Sequence, residues 1–564
     1  MPLCMRIILP AMLVSAIATL PLTAQEQAPI PVTQVVDKIV MQEHAEVELL
    51  RQYSPLVETY IQMVRPDKEL GAVPDGDRYF LGRAELDKGV ELEPLINGDG
   101  KHKFISSIGH FLSADFLPRG FLQMIYLDEE GFDRQHYDFK YAGQEFLGDV
   151  RCMIFDVEPL PSAGKGRFAG RIWVEDQDEH IVRFNGSYTG SSRSSFYFNF
   201  DSWRSNSGKN EWLPAFIYSE EGNVQYGVAK HSPFQPFRSQ TRLWGYDLKQ
   251  PHEQQTLSVV LVEGPQVKDQ AETGKGYSPL QAKRAWGRQA EDNVAAKMER
   301  MGLMAPYGDV DKLLETVVNN LEVTNDLDIQ PEVRCRVLMT STLESFTMGH
   351  TIVLSRGLID VLPDEASLAA ILAHELGHVI LGHRMDTQFA FFNRMRFDEK
   401  ETFHHFGFAR NEKEEQAANK EAAEILKKSP YHDQSESALA FFQALQDRAK
   451  EIPNLISPHL GDNWPKNATI ASAQLAGEAA TDSSAKTAAA LPLGERIVVD
   501  PWDDRLVMLK AEPEGSVAEY EKMPFQIAPF LLYLTRRAGN EAGNQAGTVA
   551  VKAETNSEQT TGKP

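Results

Sequence analysis

Apolar residues recur at helical spacing in one part of the front half of the chain and at strand spacing in the next. Residues 34–64 carry apolar groups at helical spacing and predict a helix. From Tyr79 to about Val262, short β-branched and aromatic runs alternate with Gly, Asp, Asn and Ser, which is typical of an antiparallel sheet. The runs that predict strands are residues 79–81, 121–126, 170–174, 181–184 and 196–200.

Helical spacing dominates the rear half. A polar stretch over residues 263–278 precedes a helix predicted over 280–301, and from Val310 a further series of helices contains strands predicted over 334–339 and 351–354. We therefore predict an α+β multidomain protein. An antiparallel β-rich N-terminal domain is followed by a mainly α-helical domain, and the two should be separable at the polar stretch.

Length agrees with this division, because 564 residues exceed what one hydrophobic core usually serves. The tail after Arg537 is rich in Gly, Ala, Asn, Thr, Glu and Gln and predicts disorder. The predicted segments are 1–24 (signal peptide), 25–78 (N-terminal helical segment), 79–262 (β domain), 263–305 (linker and helix), 306–480 (helical domain), 481–537 (C-terminal extension) and 538–564 (disordered tail).

The first residues predict export. Arg6 precedes an apolar run from Ile7 to Leu22, and Ala24 leads into polar sequence, as in a cleaved secretory signal peptide. An uncleaved anchor helix is the alternative, but the run is shorter than the ~20 residues that a bilayer requires. We expect a periplasmic or secreted protein with no transmembrane segment in the mature chain, which leaves peripheral association with the envelope open.

The net charge bears on the binding partners, and the cysteine content bears on disulfide bonds. The 80 acidic and 57 basic side chains give a net charge of −23, which repels nucleic-acid phosphates, so no nucleic acid is expected as a partner. Cys152 and Cys335 are too few for a disulfide framework. Two buried free thiols are favoured over a single bridge between them, which an oxidising compartment would permit.

Residues 374–378 form a metal-binding pattern. His374 and His378 are four residues apart in a helical segment, so both imidazoles project from one face and can bind one zinc ion. Glu375 lies beside them and can accept a proton from water. The pattern indicates a zinc peptidase with one Zn²⁺ per chain.

A catalytic zinc requires a third protein ligand. His383 follows His374 by nine residues, which rotates it away from the ligand face, so we expect it at the helix end or supporting a ligand. His404 and His405 are alternatives as ligands. We favour Glu415, which lies on the later helical segment 411–426. It shares a stripe with Ala418, Asn419, Ala422 and Leu426, and small residues permit close approach of two helices.

These motifs resemble those of the gluzincin metallopeptidases that include HtpX, BepA and the type-one CAAX-prenyl proteases, over about residues 308–480. In that family an ExxAD helix follows the HExxH helix, and residues 415–419 stand in its place here, with Tyr431 at the family spacing. The resemblance implies a zincin protease domain that hydrolyses a protein or peptide substrate. It also implies His374, His378 and Glu415 as zinc ligands and Glu375 as the base.

Two positions depart from the family pattern. The family's Asp, which orients a zinc-bound histidine, is Asn419 here, and an amide accepts a hydrogen bond without supplying charge. The family's later His-Pro and Arg correspond to His459-Leu460 and Thr469. We predict that His459 polarises the tetrahedral intermediate as a second catalytic residue, with an ordinary loop histidine as the alternative.

The β domain resembles the sheet of LolA-type lipoprotein carriers through residues 170–176 and 181–184. A surface for a polypeptide or acyl chain and an accessory packing domain are the alternatives for its role. The predicted function of the whole chain is a zinc-dependent endopeptidase acting on exported or envelope proteins. The rival hypothesis is a periplasmic chaperone or lipoprotein-carrier-like protein whose metal site is not catalytic.

Overall fold

The structure, a computed structural model, combines a large antiparallel sheet from the front of the chain with a mainly helical domain from the rear. The predicted fold class is therefore confirmed. The structure describes residues 31–67, 71–87, 89–95, 118–189, 198–207, 211–221, 236–246, 279–383, 406–456, 459–461, 497–500, 505–508, 527, 529 and 531–536.

Ten strands form the front sheet in the order β3-β2-β1-β10-β9-β8-β7-β6-β5-β4. Strands that are consecutive in the chain pair with each other from β1 to β3 and from β4 to β10, and β1 also pairs with β10. The strands are β1 Leu56–Asp67, β2 Gly71–Glu85, β3 Glu91–Pro94, β4 Tyr137–Leu147, β5 Val150–Pro159, β6 Phe168–Glu175, β7 Ile181–Tyr188, β8 Asn199–Asn206, β9 Trp212–Glu221 and β10 Phe237–Trp244.

The two faces of the front sheet belong to two different cores. Because side chains alternate along a strand, Val57 and Ile61 of β1 pack in a core with helix α1 (Val32–Leu50), while Leu56 and Tyr60 join the core of the rear domain. Helix α2 (Pro118–Leu122) and a 3₁₀ turn (Gln123–Ile125) lie on the α1 side. A buried ion pair ties α1 to β8, since both Nη atoms of Arg204 donate to Glu43 at 2.7 and 2.8 Å.

Two element predictions in the front half were wrong. The predicted helical segment 25–78 is helical only as far as Leu50, and Pro55, which disfavours a helical residue before it, precedes β1. The predicted strand 121–126 is instead α2 with its 3₁₀ turn. A short apolar run fits a buried strand and a buried helix equally well, and contact with the sheet decides between them.

The rear domain places a small sheet among helices. Its strands have the order β11-β13-β12, with β11 parallel and β12 antiparallel to β13. The elements are α3 Pro279–Arg300, α4 Asp309–Thr324, β11 Arg334–Leu338, β12 Ser345–Met348, β13 Thr351–Ser355, α5 Arg356–Val361, α6 Glu365–Ile380, α7 Glu412–Lys427, α8 Ser435–Arg448 and α9 Pro453–Ile456, followed by the hairpin β14 Ile497–Asp500 and β15 Arg505–Met508.

The sheet and the rear domain are joined by buried polar contacts, contrary to the expectation that they are separable. Glu58 of β1 pairs with Arg242 at 3.2 Å and accepts hydrogen bonds from the backbone N–H and the hydroxyl of Ser341 at 2.6 and 2.7 Å. Arg242 in turn donates to the carbonyl of Met339 at 3.1 Å. A shared apolar core with polar links that are largely buried is typical of one folding unit.

Residues 531–536 return to the front sheet. The Asp149 N–H donates to the carbonyl of Leu534 at 2.8 Å, and Arg536 forms an ion pair with the buried Glu175. Part of the predicted C-terminal extension is therefore packed on the β domain.

Cys152 and Cys335 are buried free thiols, as predicted. None of the described helices combines the length and the apolar character needed to cross a membrane. The predicted signal peptide, the polar stretch 263–278 and the predicted disordered tail lie outside the described residues.

Candidate metal centre

The predicted metal motif lies on α6, one of the most buried helices of the rear domain. Asp364 caps the helix by accepting a hydrogen bond from the Ser367 N–H at 2.8 Å, as its position before the apolar run predicts. His374, Glu375 and His378 are all buried. The fold thus holds three ionisable side chains inside an apolar environment, which costs free energy unless they are paired or bind a metal ion.

Three of the predicted residues meet at one point. The two Nε2 atoms of His374 and His378 are 3.2 Å apart, and the Glu415 carboxylate lies 3.4 Å from the first and 3.8 Å from the second. Zinc bonds of about 2.0–2.1 Å at tetrahedral angles separate neighbouring ligand atoms by about 3.4 Å. The three side chains therefore lie close enough together to bind one zinc ion.

Glycine at position 377 explains how Glu415 reaches this point. A Cβ on Gly377 would lie 2.8 Å from the carbonyl oxygen of Ala418, so the backbones of α6 and α7 approach at a distance that only glycine allows. The stripe predicted on α7 is buried, from Glu415 through Ala418, Asn419 and Ala422 to Leu426. Outside the stripe, Glu412 and Glu424 are exposed, whereas Glu414 and Glu421 are half-buried.

Each imidazole is oriented through its second nitrogen. Nδ1 of His374 lies 3.1 Å from the amide oxygen of Asn419, and Nδ1 of His378 lies 2.8 Å from Nδ1 of His383. Asn419 therefore keeps the orienting contact of the family's aspartate while supplying no charge. His383 lies just after α6 and supports a ligand, as its rotation from His374 predicts.

The histidines are electrostatically suited to binding a cation. Burial and, after it, the neighbouring His374 lower the pKa of His378 to about 2. Burial also lowers the pKa of His383. Neutral imidazole is the form that binds a metal ion, so no proton has to leave His378 near neutral pH.

Glu375 contacts the edge strand β12. The Ser345 hydroxyl donates to its carboxylate at 2.5 Å, and Ser345 is fully buried at the start of β12. The base predicted from the motif is thereby fixed beside the strand on which a substrate is expected to align.

The chain's own residues already contact that strand. Arg410 donates to the carbonyl of Thr347 at 3.1 Å, and Phe408 stacks on Phe346 with centroids 4.3 Å apart. A Cβ on Gly461 would lie 2.3 Å from the carbonyl of Ser345, so this residue packs directly against β12. A substrate that pairs with β12 must displace some of these contacts.

His459 lies between the two domains. Its ring stacks on Tyr79 of β2 with centroids 5.1 Å apart and an interplanar angle of 22°. Its catalytic role stays a prediction. Of the other residues considered, His404, His405 and Thr469 lie outside the described residues.

Sequence reasoning missed two residues beside the site, Ser345 as the partner of Glu375 and Tyr79 as the partner of His459. Both contacts join residues far apart in the chain, and nothing in a local pattern indicates them.

Comparison with known proteins supports the metal motif. Residues 309–459 match the family model described as Peptidase family M48. No curated protein matches the chain. Among solved structures, the chain is similar to a DUF1329 family protein from Desulfovibrio piger, with 12% identity over 39% of this chain and 94% of that chain and a TM-score of 0.21. That score supports no argument about the sheet, and its resemblance to lipoprotein carriers stays a prediction.

Proposed function

We propose, from the peptidase family M48 domain that residues 309–459 form, that this chain is a zinc-dependent endopeptidase acting on exported or envelope proteins. The observation that supports this most directly is the convergence of His374, His378 and Glu415, whose ligand atoms lie within 4.8 Å of one another. All three are buried, and the triangle they form has the dimensions of a zinc site.

In the proposed mechanism, Glu375 is the general base. His374, His378 and Glu415 would hold zinc, which would supply a Lewis acid for the scissile carbonyl and for a water molecule. Glu375 takes the proton of the attacking water and passes it to the leaving amine. The hydrogen bond from Ser345 keeps the carboxylate facing β12 throughout, so proton transfer occurs beside the bound peptide.

Substrate binding is proposed at the edge of β12. An extended peptide that adds as a strand places its scissile bond along the edge that Ser345 begins. Arg410 must leave the carbonyl of Thr347 for full pairing, which favours substrates that are already unfolded and can offer backbone donors and acceptors in its place. The signal-peptide pattern supports exported substrates.

The test compares wild type with Glu375→Gln on casein, with and without chelator. Glutamine keeps the shape of the side chain but accepts no proton near neutral pH. Hydrolysis should fall by about two to four orders of magnitude while folding and zinc content stay unchanged. Chelator should abolish wild-type hydrolysis, and added zinc should restore it.

Equal hydrolysis by wild type and Glu375→Gln would remove the proposed role of the base. Absence of hydrolysis in both, together with zinc-independent suppression of aggregation, would favour the chaperone or carrier hypothesis instead.

A further inference from the structure

We propose that Tyr79 of the β domain is a positioning residue for His459, so that the front sheet forms one side of the peptidase active site. This inference rests on the proposed hydrolysis and on His459 acting in it. The ring stacking joins two residues that are far apart in the chain. Three independent sets of contacts support the proposal.

The backbone after His459 is held beside the catalytic base. The N–H groups of Leu460 and Gly461 donate to one carboxylate oxygen of Glu344 at 2.9 and 3.3 Å. Glu344 is buried and directly precedes Ser345, the residue that donates to Glu375. One short stretch of chain therefore fixes both the base and the segment that carries His459.

The backbone before His459 is held by the front sheet. Asp77 of β2 accepts hydrogen bonds from the N–H groups of Asn454 and Leu455 at 2.9 and 2.7 Å. Asp77 and Tyr79 are two residues apart on one strand and so face the same side of the sheet. The same face of β2 thus contacts the start of α9 and the imidazole that follows it.

Tyr79 itself has little freedom to move. It is buried, and its hydroxyl donates to Glu58 at 2.7 Å. Glu58 is in turn held by Arg242 and by the N–H of Ser341. A ring fixed by packing and by a buried hydrogen bond can define the plane of a stacked imidazole, which a mobile ring cannot do.

One ring nitrogen of His459 is available to bind a substrate. Nε2 of His459 is buried, and no atom of the described residues forms a hydrogen bond with it. A buried nitrogen without a partner is costly in a resting protein, and such atoms are common where a ligand supplies the missing contact. A developing oxyanion on the substrate is a partner of the required chemistry.

The test compares Tyr79→Leu, Tyr79→Phe and His459→Ala with wild type in the full-length chain, by kinetics on an unfolded protein substrate. His459→Ala should lower kcat by about 100-fold, as for loss of one group that stabilises the intermediate. Tyr79→Leu should lower kcat by about 10-fold with KM unchanged, because His459 is present but no longer fixed. Tyr79→Phe keeps the stacked ring and should retain most of wild-type kcat.

The double variant Tyr79→Leu/His459→Ala gives the sharpest result. If Tyr79 acts through His459, the double variant should be no slower than His459→Ala alone. Losses that multiply would show that Tyr79 acts independently and would overturn the proposal. Tyr218→Leu is the matched control, since Tyr218 is equally buried on β9 and should leave kcat unchanged.

A spectroscopic measurement separates this proposal from the proposed function. With ¹³C-labelled histidine, the His459 ring signals should shift in Tyr79→Leu, where the aromatic neighbour is lost, and remain in Tyr79→Phe. If wild type hydrolyses nothing, the peptidase proposal fails, whereas an unchanged His459 signal in Tyr79→Leu defeats the stacking itself. Should Tyr79→Leu fail to fold, Tyr79→Met fills the site with an unbranched chain and should give the same kinetic loss and the same shift.

Discussion

The front sheet and the metal centre both bury carboxylates, but they neutralise them differently. In the sheet, Glu43 meets both Nη atoms of Arg204, so the charge is balanced within the fold. In the metal centre, Glu415 lies against two imidazoles, and the pKa of His378 is lowered so far that this ring is neutral. A dication would supply the opposite charge there. A buried acid paired with arginine thus stabilises the fold, while one that faces two imidazoles is suited to binding a cation.

Removal of the front sheet should have the largest effect on the metal centre. A chain starting at residue 279 should be insoluble or should fail to retain zinc, because Glu58, Asp77 and Tyr79 no longer complete the rear domain. Circular dichroism and metal analysis of the purified fragment check this against the whole chain. A soluble, zinc-loaded fragment would show that the two regions are independent.

A single substitution at Glu415 should distinguish a carboxylate that binds zinc from one that pairs with arginine. Glu415→Gln removes a proposed ligand and should weaken zinc retention by more than about 100-fold, since even groups that only orient a ligand contribute 10–100-fold. Zinc content after dialysis against a competing chelator measures it. The neighbouring Glu414→Gln should retain zinc as wild type does.

Substitution of Glu43 in the front sheet should lower stability and leave zinc binding unchanged. Glu43→Gln leaves Arg204 buried with one partner altered and should lower the free energy of unfolding by about 3–5 kcal/mol, while the folded fraction keeps its zinc. If Glu43→Gln loses zinc as readily as Glu415→Gln does, the distinction between the two regions is wrong.

The smallest expected effect tests the charge that Asn419 lacks. Asn419→Asp restores a carboxylate beside Nδ1 of His374 and should tighten zinc binding by up to about 10-fold, because a charged acceptor raises the basicity of the ligand. Zinc affinity measured by competition should rise without a change in the fold. Weaker binding would mean that the amide is preferred in this site.

Local spacing in the sequence was enough to predict that His374, His378 and Glu415 meet at the candidate site. The four-residue interval places His374 and His378 on one face, and the small residues around Glu415 predict a close helix pair. The predicted strands in β6, β7, β11 and β13 were found for the same reason, since alternation is a local property.

The remaining features depend on contacts between distant parts of the chain. The stacking of Tyr79 on His459 and the hydrogen bond from Ser345 to Glu375 join residues that no periodicity relates. Residues 121–125 are helical rather than extended, and they pack in the core on the α1 side of the sheet. The boundary predicted from the polar stretch failed to anticipate the buried link through Glu58, which local composition does not record.

The return of residues 531–536 to the front sheet affects the order in which contacts form during translation. Trp244 completes the last sheet strand, but Arg536, the partner of Glu175, is synthesised only after almost the whole rear domain. At ~5–20 residues per second, the interval is roughly 15–60 s. Throughout that time the nascent sheet carries Glu175 without its later partner. The contact between Arg536 and Glu175 can therefore form only after the described rear domain has been synthesised.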